Sequence, residues 1–135
     1  MTSLPTLSVR YIYLDTETFI GPGKIQLLEN ISACGSISAA SRAMNISYMR
    51  AWVLVNEINH ICGRAAVERQ KGGKNGGGAM LTPFGLSLVA RYRKIEHFVE
   101  NAARKELLAL RADMDDPESP ASDANFPLMA DDTSS

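Results

Sequence analysis

The sequence predicts a mainly α domain with a small β component, and three observations carry that prediction. Apolar residues recur at three- and four-residue steps in four segments, near residues 22–34, 37–44, 48–62 and 83–112. The second and third segments are separated only by a few residues around Asn45, so they read as two helices joined by a tight turn. Five glycines then fall within residues 71–78, between two short β-prone runs, a composition no helix tolerates. Helix, turn, helix and glycine-rich hairpin together make a winged helix-turn-helix, with an N-terminal strand before it and a long C-terminal helix after it.

The first elements follow from local chemistry. Leu7 to Leu14 is rich in β-branched and aromatic residues, with Leu7, Val9, Tyr11 and Tyr13 on one side and Arg10 on the other; it reads as a strand. Asp15-Thr-Glu is a turn, and Phe19-Ile20 either returns as a second short strand or packs under the first helix. Gly21-Pro22-Gly23 opens helix 1, where a proline suits the first turn. Ile25, Leu27, Leu28 and Ile31 give it an apolar face, and Gly35 closes it in a left-handed cap.

Ser36 caps helix 2, whose Ile37, Ala40 and Met44 face inward and whose alanines allow close approach to helix 3. Asn45 takes the left-handed turn, Ile46 plugs the turn into the core, and Ser47 caps helix 3, about residues 48–62. At ~100° per residue, Ala51, Leu54, Val55, Ile58 and Cys62 share the core face. Met49, Val53, Asn56 and His60 lie opposite, with Arg50 and Glu57 at the edge, and Trp52 packs from a flank on a neighbouring element. Gly63 ends the helix. Residues 66–69 and 79–82 are the hairpin strands, and Thr82 or Pro83 starts helix 4. About thirty residues of helix would extend ~45 Å. That exceeds the needs of a small domain, so the stripe through Leu88, Tyr92, Ile95, Val99, Ala102, Leu107 and Leu110 is expected to pair with a second copy.

The chain has 135 residues, a net charge of −1 and 45% hydrophobic residues, an ordinary composition for one domain with one core. The charge is uneven. Residues 24–94 hold ten basic side chains against three acidic ones, and residues 95–135 hold three against ten. A basic body of this kind suits a polyanionic partner. Cys34 and Cys62 fit small thiols in helices better than a disulfide framework. No apolar run approaches the ~18 residues that span a bilayer, and the start lacks a secretory pattern. The expected location is the cytoplasm, with no membrane partner.

Chemistry-bearing residues cluster where a nucleic acid would dock. Methionine and valine can touch thymine methyls, while asparagine and arginine can bond bidentately to adenine and guanine. Met49, Arg50, Val53 and Asn56 are therefore candidate base readers, with Ser47 and Tyr48 shared between base edges and phosphates. The start of helix 2 at Ser36 offers free backbone N–H groups to a phosphate. Arg42, Arg69, Lys71 and Lys74, with Gly72, Gly73 and Asn75 around them, form the electrostatic frame of the wing and its flank (wing residues 71–78). A phosphate loop of the nucleotide-binding kind is excluded by spacing: Gly73-Lys74 is followed by Asn75, and a strand follows rather than a helix. His60 and Cys62 are two residues apart on a helix and so point ~200° apart, and a zinc site needs about four convergent ligands. No metal, cofactor or catalytic group is expected.

The run Gly35-Ser-Ile-Ser-Ala-Ala-Ser-Arg-Ala-Met-Asn-Ile-Ser-Tyr-Met-Arg-Ala-Trp resembles the N-terminal DNA-binding domain of molybdate-responsive, ModE-type regulators. So do Val55-Asn-Glu-Ile-Asn, Glu68-Arg69, the Gly-Gly-Lys-Asn-Gly-Gly-Gly-Ala-Met-Leu-Thr wing and the earlier Gly-Pro-Gly-Lys-Ile-Gln-Leu-Leu-Glu. That domain is itself similar to the winged helix of LysR-type regulators. The resemblance spans roughly residues 7–112. It implies a winged helix-turn-helix that dimerises largely through its terminal helices and binds a two-fold operator on double-stranded DNA. Full-length family members follow the long helix with molybdate-binding barrels of the Mop type. Residues 113–135, an acidic Pro/Ser-rich tail expected to be disordered, are expected to build no such barrel. The domain boundaries expected are thus 7–112, with the dimerisation helix at about 83–112, and 113–135. The rival expectation is a winged helix serving as a protein-interaction module or partner-dependent co-regulator.

Overall fold

The computed structural model describes residues 5–8, 10–70 and 77–118. The elements are β1 (Ile12–Tyr13), β2 (Phe19–Ile20), α1 (Pro22–Cys34), α2 (Ile37–Ala43), α3 (Tyr48–Cys62), β3 (Val67–Gln70), β4 (Gly78–Leu81) and α4 (Pro83–Met114). The chain divides into two units, residues 8–99 and residues 1–7 with 100–135.

In the first unit, α1 is the centre of the core. Ile25, Leu27, Leu28 and Ile31 are all fully buried, and each such side chain contributes roughly 1.5–3 kcal/mol on leaving water. Gly35, at φ 81°, ends the helix and donates its N–H to the Ile31 carbonyl at 2.9 Å. α2 follows at once. The Ser36 hydroxyl accepts the Ala39 N–H at 3.0 Å, and Ile37 and Ala40 turn into the core. Ser41, also buried, satisfies its hydroxyl on the Ser38 carbonyl at 2.7 Å.

Asn45 has φ 58°, the single positive φ outside glycine among the described residues. The turn is closed by N–H bonds from Asn45 to the Arg42 carbonyl and from Ile46 to the Ser41 carbonyl, at 3.1 and 3.0 Å. α3 then buries Ala51, Val55 and Ile58, while Leu54 and Cys62 are half-buried against the same core. Burial pushes the Cys62 thiol up, which keeps it neutral at pH 7. Gly63, at φ 66°, ends α3.

The hairpin lies one residue away from the expected ranges at each strand. β3 and β4 pair antiparallel with Val67 opposite Leu81 and Gln70 opposite Gly78. Ala66 is a junction instead of a strand residue: it is fully buried, its N–H goes to the Asn59 side chain at 2.8 Å, and its carbonyl accepts the Thr82 N–H at 2.9 Å. Thr82 starts α4 by accepting the Gly85 N–H at 3.0 Å and donating its hydroxyl to the Ala65 carbonyl at 2.6 Å.

The N-terminal strand is shorter than its composition suggests. Ile12 pairs with Ile20 and Tyr13 with Phe19 only, because the Asp15 carboxylate captures the Glu17 and Thr18 N–H groups at 2.8 Å and turns the chain early. Those two donors hold the Asp15 carboxyl below its usual range. Tyr11 and Tyr13 face solvent and share Phe19 through ring contacts at 5.5 and 5.3 Å.

Along α4, Phe84, Leu88 and Val89 pack against the core of the same chain. Tyr92 corrects an expectation. Periodicity puts it on the stripe reserved for a second copy, but it is 2% exposed and its hydroxyl donates to the Arg10 carbonyl. A helix that covers its own domain must bury residues there, and Tyr92 is one of them. Arg93, next to it, grips the Glu29 carboxylate on α1 with two bonds of 2.9 and 2.7 Å and also reaches Glu96 at 2.8 Å. This pair draws the Glu29 carboxyl below its usual range, and because it stands in solvent it is worth at most ~1 kcal/mol. In the second unit, Leu108, Leu110 and Met114 are exposed and Leu107 is half-buried.

Two substitutions test this packing. A Cβ at Gly85 would collide with the Ala66 carbonyl oxygen. Overpacking of that kind costs ~1–3 kcal/mol, so Gly85→Ala should lower Tm by at least about 4 °C in a thermal melt. Tyr92→Phe removes one hydrogen bond and should cost ~1 kcal/mol in chemical denaturation without changing oligomeric state.

Candidate nucleic-acid interface

The site is built on the face of α3 that the core leaves free. Ser47 fixes where that face begins: its hydroxyl accepts the Arg50 N–H at 2.9 Å, which satisfies one of the orphan donors of the first turn. Met49 is 71% exposed and Val53 38%, and Arg50 and Asn56 stand in solvent beside them. Met49 and Val53 thus present apolar surface to solvent on this face. Tyr48 is also exposed, and its ring meets Trp52 edge-on at 6.2 Å. The expected readers Tyr48, Met49, Arg50, Val53 and Asn56 are therefore held on one rigid, capped helix and free of the core.

The flanking cations sort themselves by partner. Lys24 pairs with Glu57 at 3.5 Å, and Arg93 is occupied by Glu29 and Glu96. Arg42, Arg50, Arg64, Arg69, Arg91 and Lys94 have no carboxylate partner among the described residues. Arg42 leans on the Ser38 hydroxyl at 2.8 Å from an exposed position on α2. Ser36 spends its hydroxyl on the cap of α2 and is half-buried. Arg69, on β3, lies over the Trp52 ring at 5.2 Å. Lys71, Gly72, Gly73, Lys74 and Asn75 lie outside the described residues.

β4 is held close to the helix pair from the other side. The Ala79 N–H bonds to the Gly35 carbonyl at 2.9 Å, which ties the hairpin to the corner between α1 and α2. Two residues outside the sequence-based site complete the arrangement. Asn59 anchors the entry to β3 through Ala66, and Trp52 links α3 to β3 through Arg69. The signal for Trp52 is its four-residue step from Tyr48, which stacks aromatic rings along a helix. Asn59 carries only a weak sign, a polar residue next to Ile58 at the edge of the core face.

Of the expected dimerisation residues, Ile95, Ala102 and Leu110 are exposed, Val99 and Leu107 are half-buried, and Leu88 and Tyr92 serve the core of their own chain. Phe98, which recurs with them at three- and four-residue steps, is 60% exposed, and Leu86 adds further apolar surface to α4. Among the described residues no three His, Cys, Asp or Glu side chains are grouped to hold a metal, and no helix is long and apolar enough to cross a membrane.

Two helices joined by a tight turn, an antiparallel hairpin behind them and a long closing helix define a winged helix-turn-helix. Full-length CbnR, solved with its target DNA, shares that fold at a TM-score of 0.51 over 67% of this chain and 30% of CbnR, with 16% identity. Over about two-thirds of its length the chain is homologous to ModE-type transcriptional regulators. It is 40% identical over 91 residues to the transcriptional regulator ModE of Haemophilus influenzae, covering 67% of this chain and 36% of that one. Identity is 39% over 89 residues to the DNA-binding transcriptional dual regulator ModE of Escherichia coli K12, or 66% and 34% of the two chains. The molybdenum-pterin-binding protein MopB of Rhodobacter capsulatus is 44% identical over 77 residues, 57% of this chain and 28% of MopB. The chain thus spans about a third of the length of the curated relatives it matches. These relatives are named for regulation and molybdenum binding rather than for a reaction. No family model matches the chain.

If Ser47 sets the start of α3, Ser47→Ala should cost ~1 kcal/mol of stability. Amide exchange should rise first in residues 48–51, where the cap is lost, and leave α1 protected.

Proposed function

We propose that this chain is a cytoplasmic, sequence-specific DNA-binding transcriptional regulator acting as a homodimer. The observation that carries the reading is the capped face of α3: Met49, Arg50, Val53 and Asn56 are exposed together on a helix whose opposite face is locked into the core. That face enters a major groove, where these side chains read base edges. Ser47 and Tyr48 lie at the groove's edge and divide between bases and phosphates. Arg42 and Arg69, with Lys71 and Lys74 of the wing, hold the flanking backbone, and the start of α2 at Ser36 faces a phosphate. The exposed apolar residues of α4, including Ile95, Val99, Ala102, Leu107 and Leu110, pair with those of a second copy, which places two half-sites about one helical turn, ~34–36 Å, apart.

The reading separates cleanly from a protein-docking role. At low salt the chain should shift random duplex DNA with a Kd of roughly 10⁻⁴–10⁻⁶ M, the usual range for non-specific binding. No shift at those concentrations would favour the docking role. Two variants divide the labour within the interface. Arg50→Ala should relax preference at one base pair, at a cost of ~1–3 kcal/mol. Lys74→Ala should weaken binding to all sequences alike and make the log–log salt slope shallower by about one.

A further inference from the structure

Between α3 and the hairpin lies a cleft of about 240 Å³, lined among others by Tyr48, Trp52, Arg69, Gly77 and Gly78. We propose that this cleft seats one phosphodiester of bound DNA, and that Trp52 is the positioning residue that aims Arg69 at it. The inference rests on the DNA-binding reading above and adds to it a site and a residue.

Arg69 is the cation of this cleft. Its guanidinium lies over the Trp52 indole at 5.2 Å, and no carboxylate pairs with it among the described residues. A guanidinium held over a ring by the cation–π attraction keeps N–H groups that can point away from the ring, and those are the groups a phosphate takes bidentately. An arginine already resting on an indole has less rotamer freedom to lose when it grips a phosphate than one free in solution. The indole is steadied in turn, because Tyr48 meets it at an interplanar angle of 84° one helical turn earlier. Tyr48 lines the same cleft and brings a phenolic hydroxyl to that neighbourhood. Gly77 and Gly78, on the same hairpin as Arg69, bring backbone and no side chain to the lining, beside Ile37 and Ala79. A cation, a phenol and accessible backbone around an open cleft suit a tetrahedral anion carried on a chain. Trp52 itself reads no base; it lies on the flank of α3, half-buried.

The test is the salt dependence of duplex binding by the full chain, with Trp52→Ala, Trp52→Phe, Arg69→Ala and the double alanine variant. Arg69→Ala should make the log–log salt slope shallower by about one and weaken binding on the order of tenfold near 0.1 M salt. Trp52→Ala should reproduce both changes, Trp52→Phe should restore them in large part, and the double variant should bind no worse than Arg69→Ala, since both remove one contact. Multiplicative losses in the double variant, or an unchanged slope in Trp52→Ala, would overturn the proposal. A second readout needs no change at Trp52, the chain's single tryptophan. Its emission should respond saturably to duplex in the unmodified chain and lose that response in Arg69→Ala; a response that survives in Arg69→Ala would also overturn it. If the unmodified chain binds no duplex at all, the DNA-binding reading falls with it, whereas normal binding with an unmoved Trp52→Ala slope removes this inference alone.

Discussion

A seven-residue helix does not hold itself together in water, and α2 is seven residues long. Its existence, and with it the placement of α3, depends on burial against α1. Ile25, Leu28 and Ile31 supply the apolar wall, and Ile37 and Ala40 of α2 with Ala51, Val55 and Ile58 of α3 complete one continuous core. Alanines at 40 and 51 keep side-chain bulk low where the helices share that core. Everything functional follows from this constraint, since a face can be exposed in a defined direction only when its opposite face is fixed.

The ends of the helices convert that packing into direction. Ser36 and Ser47 cap the two starts, Gly35 and Gly63 the two nearest ends, and Asn45 takes the left-handed residue between them. The turn is closed by backbone bonds at both Asn45 and Ile46. The angle between α2 and α3 is then a property of the backbone, and Met49 and Arg50 are displayed from the first turn after it. The hairpin is anchored twice to the same frame, through Ala79 to Gly35 and through Ala66 to Asn59 and Thr82. Gly85 allows α4 to pass against the Ala66 carbonyl, which brings the closing helix onto the core.

Much of this is legible in the amino-acid sequence. The caps, the left-handed turn and both faces of α3 are set by interactions within four residues, and local sequence carries those directly. What is less legible depends on distant partners. Tyr92 falls on an apolar stripe that periodicity cannot divide between the chain's own core and a second copy; its bond to Arg10, 82 residues away, decides the matter. The strand at the N-terminus reads as eight residues long because its composition is β-prone, but the Asp15 turn allows only two pairs. The stacking of Arg69 on Trp52 joins a strand to a helix, and no local pattern announces such a contact. Charge shows the same limit: the basic surplus is visible in the sequence, whereas the loss of Lys24 and Arg93 to carboxylates within the fold is not.

The proposed mode of binding has α3 reading DNA in two copies related by a two-fold axis, and in vitro selection of bound duplexes from a random pool is its decisive test. Two-fold binding should enrich an inverted repeat whose half-site centres lie about 10–10.5 base pairs, or a multiple of that, apart. A pool that stays random through repeated selection, or that converges on one unrepeated site, would contradict it.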